Sequence, residues 1–467
     1  LIDWRRRIVA PSTGALLLIA VLALCFGLRA DGVLTADSWF NLRFGRQILR
    51  HGLPRFNTDT LAGFGQPWLD VQWLAHVCWY AVHRVTGDAG VVVLRAILMI
   101  AALSLPSWTD RSPSLRPLIV ALVATAIAAP FFAARAQSFA ELFASVALYL
   151  LNGKLTTSRR VALLVLALLW ANMHGSAALL PGLVALKILT DTHQRAHNAA
   201  LFGLTSLSLI ATPYGATALS HFRGTLLNPL LRQWVEEWAT ARILDRPVFF
   251  LAIVVVLAAA LRASAWKNSL FGFVVTLLTA TLGVWSNRHQ VYFALAVVHF
   301  ATPWLSEALG ERLKFRVSDR PPWLKWLVLG CAVVSLGLAR QSALRRRGDG
   351  FEGYAAIVRA AILRHESVFV DLSIADRLLY VEPRCAGAIA VDVRLELWSA
   401  AEFAFQRALE RDRSTAGLSR WERFDLLWIE RRDDYRWQLA QLAHSPRWKI
   451  VASSRIGTIF ERIAGVR

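Results

Sequence analysis

The sequence predicts a polytopic α-helical membrane protein with 11 or 12 transmembrane helices, followed by a small C-terminal α/β domain. Three observations predict it. The 467 residues are 56% hydrophobic with a mean hydropathy of +0.44, too apolar for a soluble protein. Apolar runs approaching the ~20 residues that cross a bilayer recur along most of the chain. From about residue 345 the pattern changes to short strand-like runs alternating with helix-like ones.

The apolar runs lie at about 8–30, 71–86, 89–107, 115–133, 138–151, 161–176, 178–190, 198–214, 247–262, 269–285, 290–305 and 323–340. Arg5, Arg6 and Arg7 precede the first and place the N-terminus in the cytoplasm. No small-x-small cleavage site follows that run, so an uncleaved helix is expected rather than a signal peptide. The chain begins at Leu1 rather than Met, and further N-terminal residues are expected. The loop 31–70 is then outside.

The basic loops with Lys154, Arg159 and Arg160, with Arg195, with Arg262 and Lys267, and with Arg312, Lys314, Arg316, Arg320 and Lys325 are placed inside. His174, the loop 215–246, Arg288 and everything after residue 341 then face outward. Between 71 and 133 the alternation closes if the 153–160 loop breaks the charge rule, or if 71–86, which carries Gln72, His76 and His83, lies in the interface instead of spanning; the second is preferred. The second long outer loop, 215–246, reads as an amphipathic surface helix with an acidic end at Glu236 and Glu237.

In the last part, Arg345–Arg347 and Gly348–Gly350 read as a linker. Strands are expected at 366–372, 388–393, 424–429 and 448–452, with helices at 354–365, 400–413 and 433–443. The expected organisation is a transmembrane domain over 1–344 and an extracytoplasmic α/β domain over 345–467. No GxGxxG or P-loop marks the latter for nucleotides, and no internal repeat is evident. The net charge of +20 does not point to nucleic acid, because much of the Arg and Lys sits in short loops where it meets anionic lipid. Cys25, Cys78, Cys331 and Cys385 are far apart, without metal spacing, so neither a disulfide framework nor a zinc site is expected.

The chemistry-bearing residues cluster on the outer side. Asp37 opens a short amphipathic helix over 37–50, as a general base above the bilayer or as that helix's N-cap. Asp59 follows Asn57-Thr58 and reads as turn chemistry, while Asp70 reads as a cap; the two are weak candidate ligands for a divalent cation. Arg135 and Arg288 each sit between two apolar runs, placed for a phosphate or for a lipid headgroup. His174, in WANMHGS, lines a polar cavity or is a hydrogen-bonded interior residue. Glu236 and Glu237 bind acceptor hydroxyls or a cation, or form the solvated end of a surface helix.

A first transmembrane helix followed by a long outer loop with an early Asp resembles the plan of the GT-C superfamily of glycosyltransferases. That superfamily includes oligosaccharyltransferases, protein O-mannosyltransferases and the lipid A aminoarabinose transferase. The chain looks most like a bacterial group of this class with a C-terminal extracytoplasmic α/β domain. The phrases that carry the likeness are ADSWFNLRFGRQILRHGLPRFNTDT, GQPWLDVQWLAHVCWY, ARAQSF, WANMHGS, ATPYG, VEEW, SNRHQVYFAL, VDVRLELW, FDLLWIERR and SPRWKIVASSRIGTIFERI. Asn41 stands where the group often has His, and Ala136 where it often has Pro.

The resemblance implies a GT-C-like fold in a bacterial inner membrane and a cell-envelope glycosyltransferase. It implies a lipid-linked sugar donor on polyprenyl phosphate or pyrophosphate, and a glycan, lipid or protein as acceptor. It makes Asp37 the catalytic carboxylate and sets Arg135, His174, Glu237 and Arg288 around the donor. The alternatives are a non-enzymatic membrane scaffold that binds partners and a transporter of lipid-linked sugar.

Overall fold

The computed structural model describes residues 13–108, 116–191, 194–220, 228–310, 323–411, 413 and 419–463. Arg5–Arg7 and the basic residues Arg312, Lys314, Arg316 and Arg320, used above for topology, lie outside them, as does part of the loop 215–246. By its internal contacts the chain divides into two units. One comprises Leu1–Val33, Asp88–Phe222 and Val235–Arg340; the other comprises Leu34–Gly87, Arg223–Trp234 and Gln341–Arg467. The α/β segment thus falls in one unit with the long loop near the N-terminus.

The first unit is helical. Its helices include α1 (Thr13–Leu28), α4 (Arg116–Ala128), α5 (Gln137–Leu151), α6 (Thr157–Met173), α7 (Leu179–Thr190), α8 (Arg195–Leu207), α10 (Pro247–Arg262), α11 (Leu270–Trp285) and α12 (Gln290–Leu309). These match the expected apolar runs within a few residues. In lipid every backbone N–H and C=O must be satisfied within the segment, so an apolar run has little choice but helix. Helix α12 is the centre: Gln290–Ala301 are all buried, and α4, α5, α10 and α11 pack around it. A helix with no polar face belongs inside. The outward faces carry exposed apolar side chains instead, such as Val161, Val165 and Leu168 on α6 and Leu251, Val254 and Val255 on α10.

Among the described residues two helical stretches are long and apolar enough to cross a membrane, Trp73–Ser107 and Trp323–Leu363, with six shorter apolar helices beside them. The first stretch is interrupted: within α3 (Trp73–Ser104) Gly87 has φ +66° and ψ −162°, outside the helical range, so two helical segments meet there, in line with the separate runs 71–86 and 89–107. A residue without Cβ adopts that conformation cheaply. The loop 215–246 departs from expectation. Instead of one amphipathic helix, its described part holds the short α9 (Pro229–Trp234) and 3-10 turns at Gly215–Thr217 and Glu236–Trp238.

In the second unit a four-stranded sheet has the order β1-β2-β4-β3, with β1 (Val368–Val370) parallel to β2 (Leu426–Ile429), and β4 (Gly457–Arg462) antiparallel to both β2 and β3 (Trp448–Ser454). Successive residues of β2 face opposite cores. Leu426 and Trp428 join Phe351, Val358 and Leu378, while Leu427 and Ile429 join Phe369, Trp421 and Tyr435. Helices α14 (Phe351–Leu363) and α15 (Leu372–Val381) supply the first core; α16 (Ala400–Arg411) and α17 (Arg436–His444) contribute to the second.

Three of the expected strands form. The run 388–393 does not: its carbonyls at Ile389 and Ala390 accept from Leu61 and Ala62 of the long loop, outside the sheet. The fourth strand is β4, which returns from β3 through a tight turn. Arg345–Arg347 is not linker but the end of α13 (Trp323–Arg347), because Arg is a good helix former; the break comes at the glycines that follow. Helix α2 (Ala36–His51) packs on α15, with Trp39 against Tyr380 and Arg46 over the same ring.

Candidate functional site

In the first unit the turn between α4 and α5 presents Arg135. Its N–H donates to Ser138 Oγ at 3.2 Å, and its guanidinium meets Glu237 Oε1 at 2.5 Å. Glu237 sits on the 3-10 turn Glu236–Trp238, which the next polar motif fastens in place. Asn287 Nδ2 donates to Glu236 O at 3.1 Å, and Ser286 Oγ to Glu237 O at 3.2 Å. The residue after Asn287 is Arg288, whose guanidinium lies 4.4 Å over the Trp238 ring and 3.5 Å from Gln137 Oε1. Two expected phosphate contacts and one expected acid therefore form one cluster.

Burial alone would raise the Glu237 carboxyl. The guanidiniums of Arg135 and Arg288, the hydrogen bond from Arg135, and Arg246 outweigh it and hold that carboxyl below the usual range. Three cations thus act on one anion.

His174 ends α6 and starts the 3-10 turn after it. Its Nδ1 accepts from Ser176 N–H at 3.0 Å, which leaves the proton of the neutral ring on Nε2. Ser176 Oγ accepts from Trp170 Nε1 at 3.1 Å and also bonds Tyr292, in the first turn of α12 and four residues after Arg288. Four of the five expected site residues, Arg135, His174, Glu237 and Arg288, are thereby gathered in the first unit. Beneath them is a buried ion pair, Arg95 Nη2 to Glu141 Oε2 at 2.8 Å.

Asp37 belongs to the second unit. It stands half-buried in the first turn of α2, but it is not the N-cap. Thr35 takes that position, its N–H donating to Ser38 Oγ at 3.1 Å. A carboxylate in a first helical turn is favoured by the helix dipole. Asn41 Nδ2 donates to Asp37 O at 2.6 Å, one turn along.

Asp59 and Asp70, the weak metal candidates, have protein partners. Asp59 N–H donates to Asn57 Oδ1 at 3.1 Å, the expected turn, and its carboxylate lies 3.8 Å from Arg43 and 3.7 Å from Arg394. Asp70 accepts from Gln72 N–H at 3.1 Å, the expected cap, and pairs with His76 Nδ1 at 2.7 Å. Among the described residues no three His, Cys, Asp or Glu side chains are grouped to hold a metal ion.

No protein-family model matches the chain, and no curated protein matches it. Among solved structures the chain is similar to ArnT from Cupriavidus metallidurans bound to undecaprenyl phosphate, with 12% identity and a TM-score of 0.48, covering 97% of this chain and 99% of that one. At that likeness no residue role and no reaction carries across.

Sequence reasoning missed Arg95 and Glu141, and their signal was plain: VVVLRAILMI and SFAELFASV each place one charge inside an apolar run, which is costly without a partner. It also missed the ionic cluster of the second unit. Arg43 Nη2 donates to Asp392 Oδ2 at 2.6 Å and lies 3.3 Å from Asp376 Oδ1; Arg394 bonds the same Asp392 and donates to Asn57 Oδ1 at 2.7 Å. Arg43, Asp376, Asp392 and Arg394 are all buried. Their separation along the chain left no local pattern to read.

Proposed function

We propose that this chain is an integral-membrane glycosyltransferase of the GT-C kind. It moves a sugar from a polyprenyl-phosphate or pyrophosphate donor to an extracytoplasmic glycan, lipid or protein acceptor in a bacterial inner membrane. The observation that carries the reading is the cluster in which Arg135 pairs with Glu237 at 2.5 Å and Arg288 lies over the neighbouring Trp238 ring. Guanidinium forks match phosphate oxygens, and a donor phosphate can take the place that Glu237 holds between them. The apolar outward faces of α6 and α10 support a lipid surround.

In the reaction the acceptor oxygen attacks the anomeric carbon while the bond from that carbon to the phosphate oxygen breaks. The acceptor proton goes to Asp37, and the bonding pair leaves with the phosphate. Negative charge grows on that leaving group, where Arg135 and Arg288 lower the barrier. Asp59 and Asp70 serve as structural acids in this scheme.

The test is transfer of labelled sugar from a polyprenyl-phosphate donor by the purified protein. Asp37→Asn is expected to lower kcat by about 10²–10⁴-fold, the range for a lost general base, with an unchanged melting profile. Unchanged transfer in that variant would remove Asp37 from the mechanism.

A further inference from the structure

Arg95 lies on α3, fully buried in an apolar stretch, and no step above uses it. Its guanidinium is spent on one short turn. Nη2 donates to Phe131 O at 2.8 Å, and Nε donates to Ala133 O at 3.1 Å and Phe132 O at 3.3 Å. These carbonyls lie at the end of the 3-10 turn Ala129–Phe131 that follows α4 and just beyond it, where the helical ladder has stopped. The next N–H, that of Ala134, donates to Val33 O at 2.8 Å, and the one after it, that of Arg135, donates to Ser138 Oγ. Five consecutive residues, Phe131 to Arg135, are therefore tied down just where Arg135 leaves the turn. Glu141, itself buried, lies against the same Arg95 Nη2 at 2.8 Å and supplies its counter-charge.

We infer that Arg95, fixed by Glu141, is a positioning residue that aims Arg135 by clamping the turn from which Arg135 projects. The inference rests on the reading of Arg135 as a phosphate contact. A lysine at position 95 would keep the charge opposite Glu141 but lose the planar fork that reaches three carbonyls at once. The clamp therefore predicts a defect from Arg95→Lys that travels through Arg135 alone.

Two measurements on the full-length protein in detergent decide it. The first is the affinity for a polyprenyl phosphate in a double-mutant cycle. Arg95→Lys is expected to weaken binding about tenfold in the wild-type background and to add nothing in the Arg135→Ala background. An equal loss in both backgrounds would overturn the inference, because it would mean general support of the fold. The second is hydrogen exchange of the backbone amides without any ligand. Arg95→Lys is expected to speed exchange at residues 132–138 and leave α11 and α12 unchanged. Exchange that is unaltered, or raised throughout the unit, would also overturn it. If the wild type binds no polyprenyl phosphate, the functional reading fails while the exchange result still decides the clamp.

Discussion

Two carboxylates outside the membrane helices are driven in opposite directions. At Glu237 the guanidiniums of Arg135 and Arg288 outweigh burial and lower the carboxyl. At Asp376 burial dominates, the neighbouring Asp392 adds to it, and Arg43 does not compensate, so the carboxyl is raised. Asp392 is the reverse: burial would raise it, but Arg394 and Arg43 together hold it low. A depressed native value stabilises above the ordinary carboxylate range, so the Arg135–Glu237 pair persists to pH values below about 4.3 and is lost only on further acidification. A raised native value works the other way. The contribution of Asp376 is complete below about pH 3.9 and drains away as pH rises toward its native value. Asp376→Asn is therefore expected to flatten the loss of thermal stability between about pH 4 and pH 8, as followed by the unfolding midpoint. An unchanged slope would assign that loss to other groups. Glu141→Gln would leave Arg95 buried without its counter-charge, at a cost of about 3–5 kcal/mol, visible as a lower melting temperature. In the sequence Arg135 and Arg288 stood out between apolar runs, His174 within one, and Asp37 and Glu237 in the long outer loops. Arg43, Asp376, Asp392 and Arg394 did not, because their meaning lies in pairings across more than 300 positions of sequence.

At the scale of elements, the helices of the first unit were readable because a membrane-length apolar run admits few other structures. The strands β1, β2 and β3 were readable from short apolar runs with turn residues beside them. The run 388–393 was misread because its apolar residues signal burial, and burial does not say which backbone will pair with it. Helix α2 was readable too, but not its packing. Gly45 faces the first half of α3 so closely that a Cβ there would sit 2.1 Å from the carbonyl oxygen of His76. Backbone cannot yield as a side chain can, so Gly45→Ala is expected to destabilise by about 1–3 kcal/mol or more and to disturb the Asp70–His76 pair. Thermal unfolding of the variant, beside Gly32→Ala where a Cβ meets nothing, would measure it.

At the scale of the whole molecule, the second unit is assembled from three separate pieces of chain, residues 34–87, 223–234 and 341–467. A fragment starting near residue 345 would keep the sheet but lose Arg43 and Asn57, leaving Asp376, Asp392 and Arg394 buried without those partners. That fragment is expected to aggregate or show no cooperative unfolding, and circular dichroism with thermal melting checks this. The central claim is that the Arg135–Glu237–Arg288 cluster holds a lipid phosphate. Its most direct measurement is the dissociation constant for a polyprenyl phosphate in wild type and in Arg288→Ala and Arg135→Ala. The claim predicts saturable binding that weakens at least about tenfold in each variant, in keeping with loss of a charge-assisted contact. Equal affinities in all three proteins, or no saturable binding in the wild type, would contradict it.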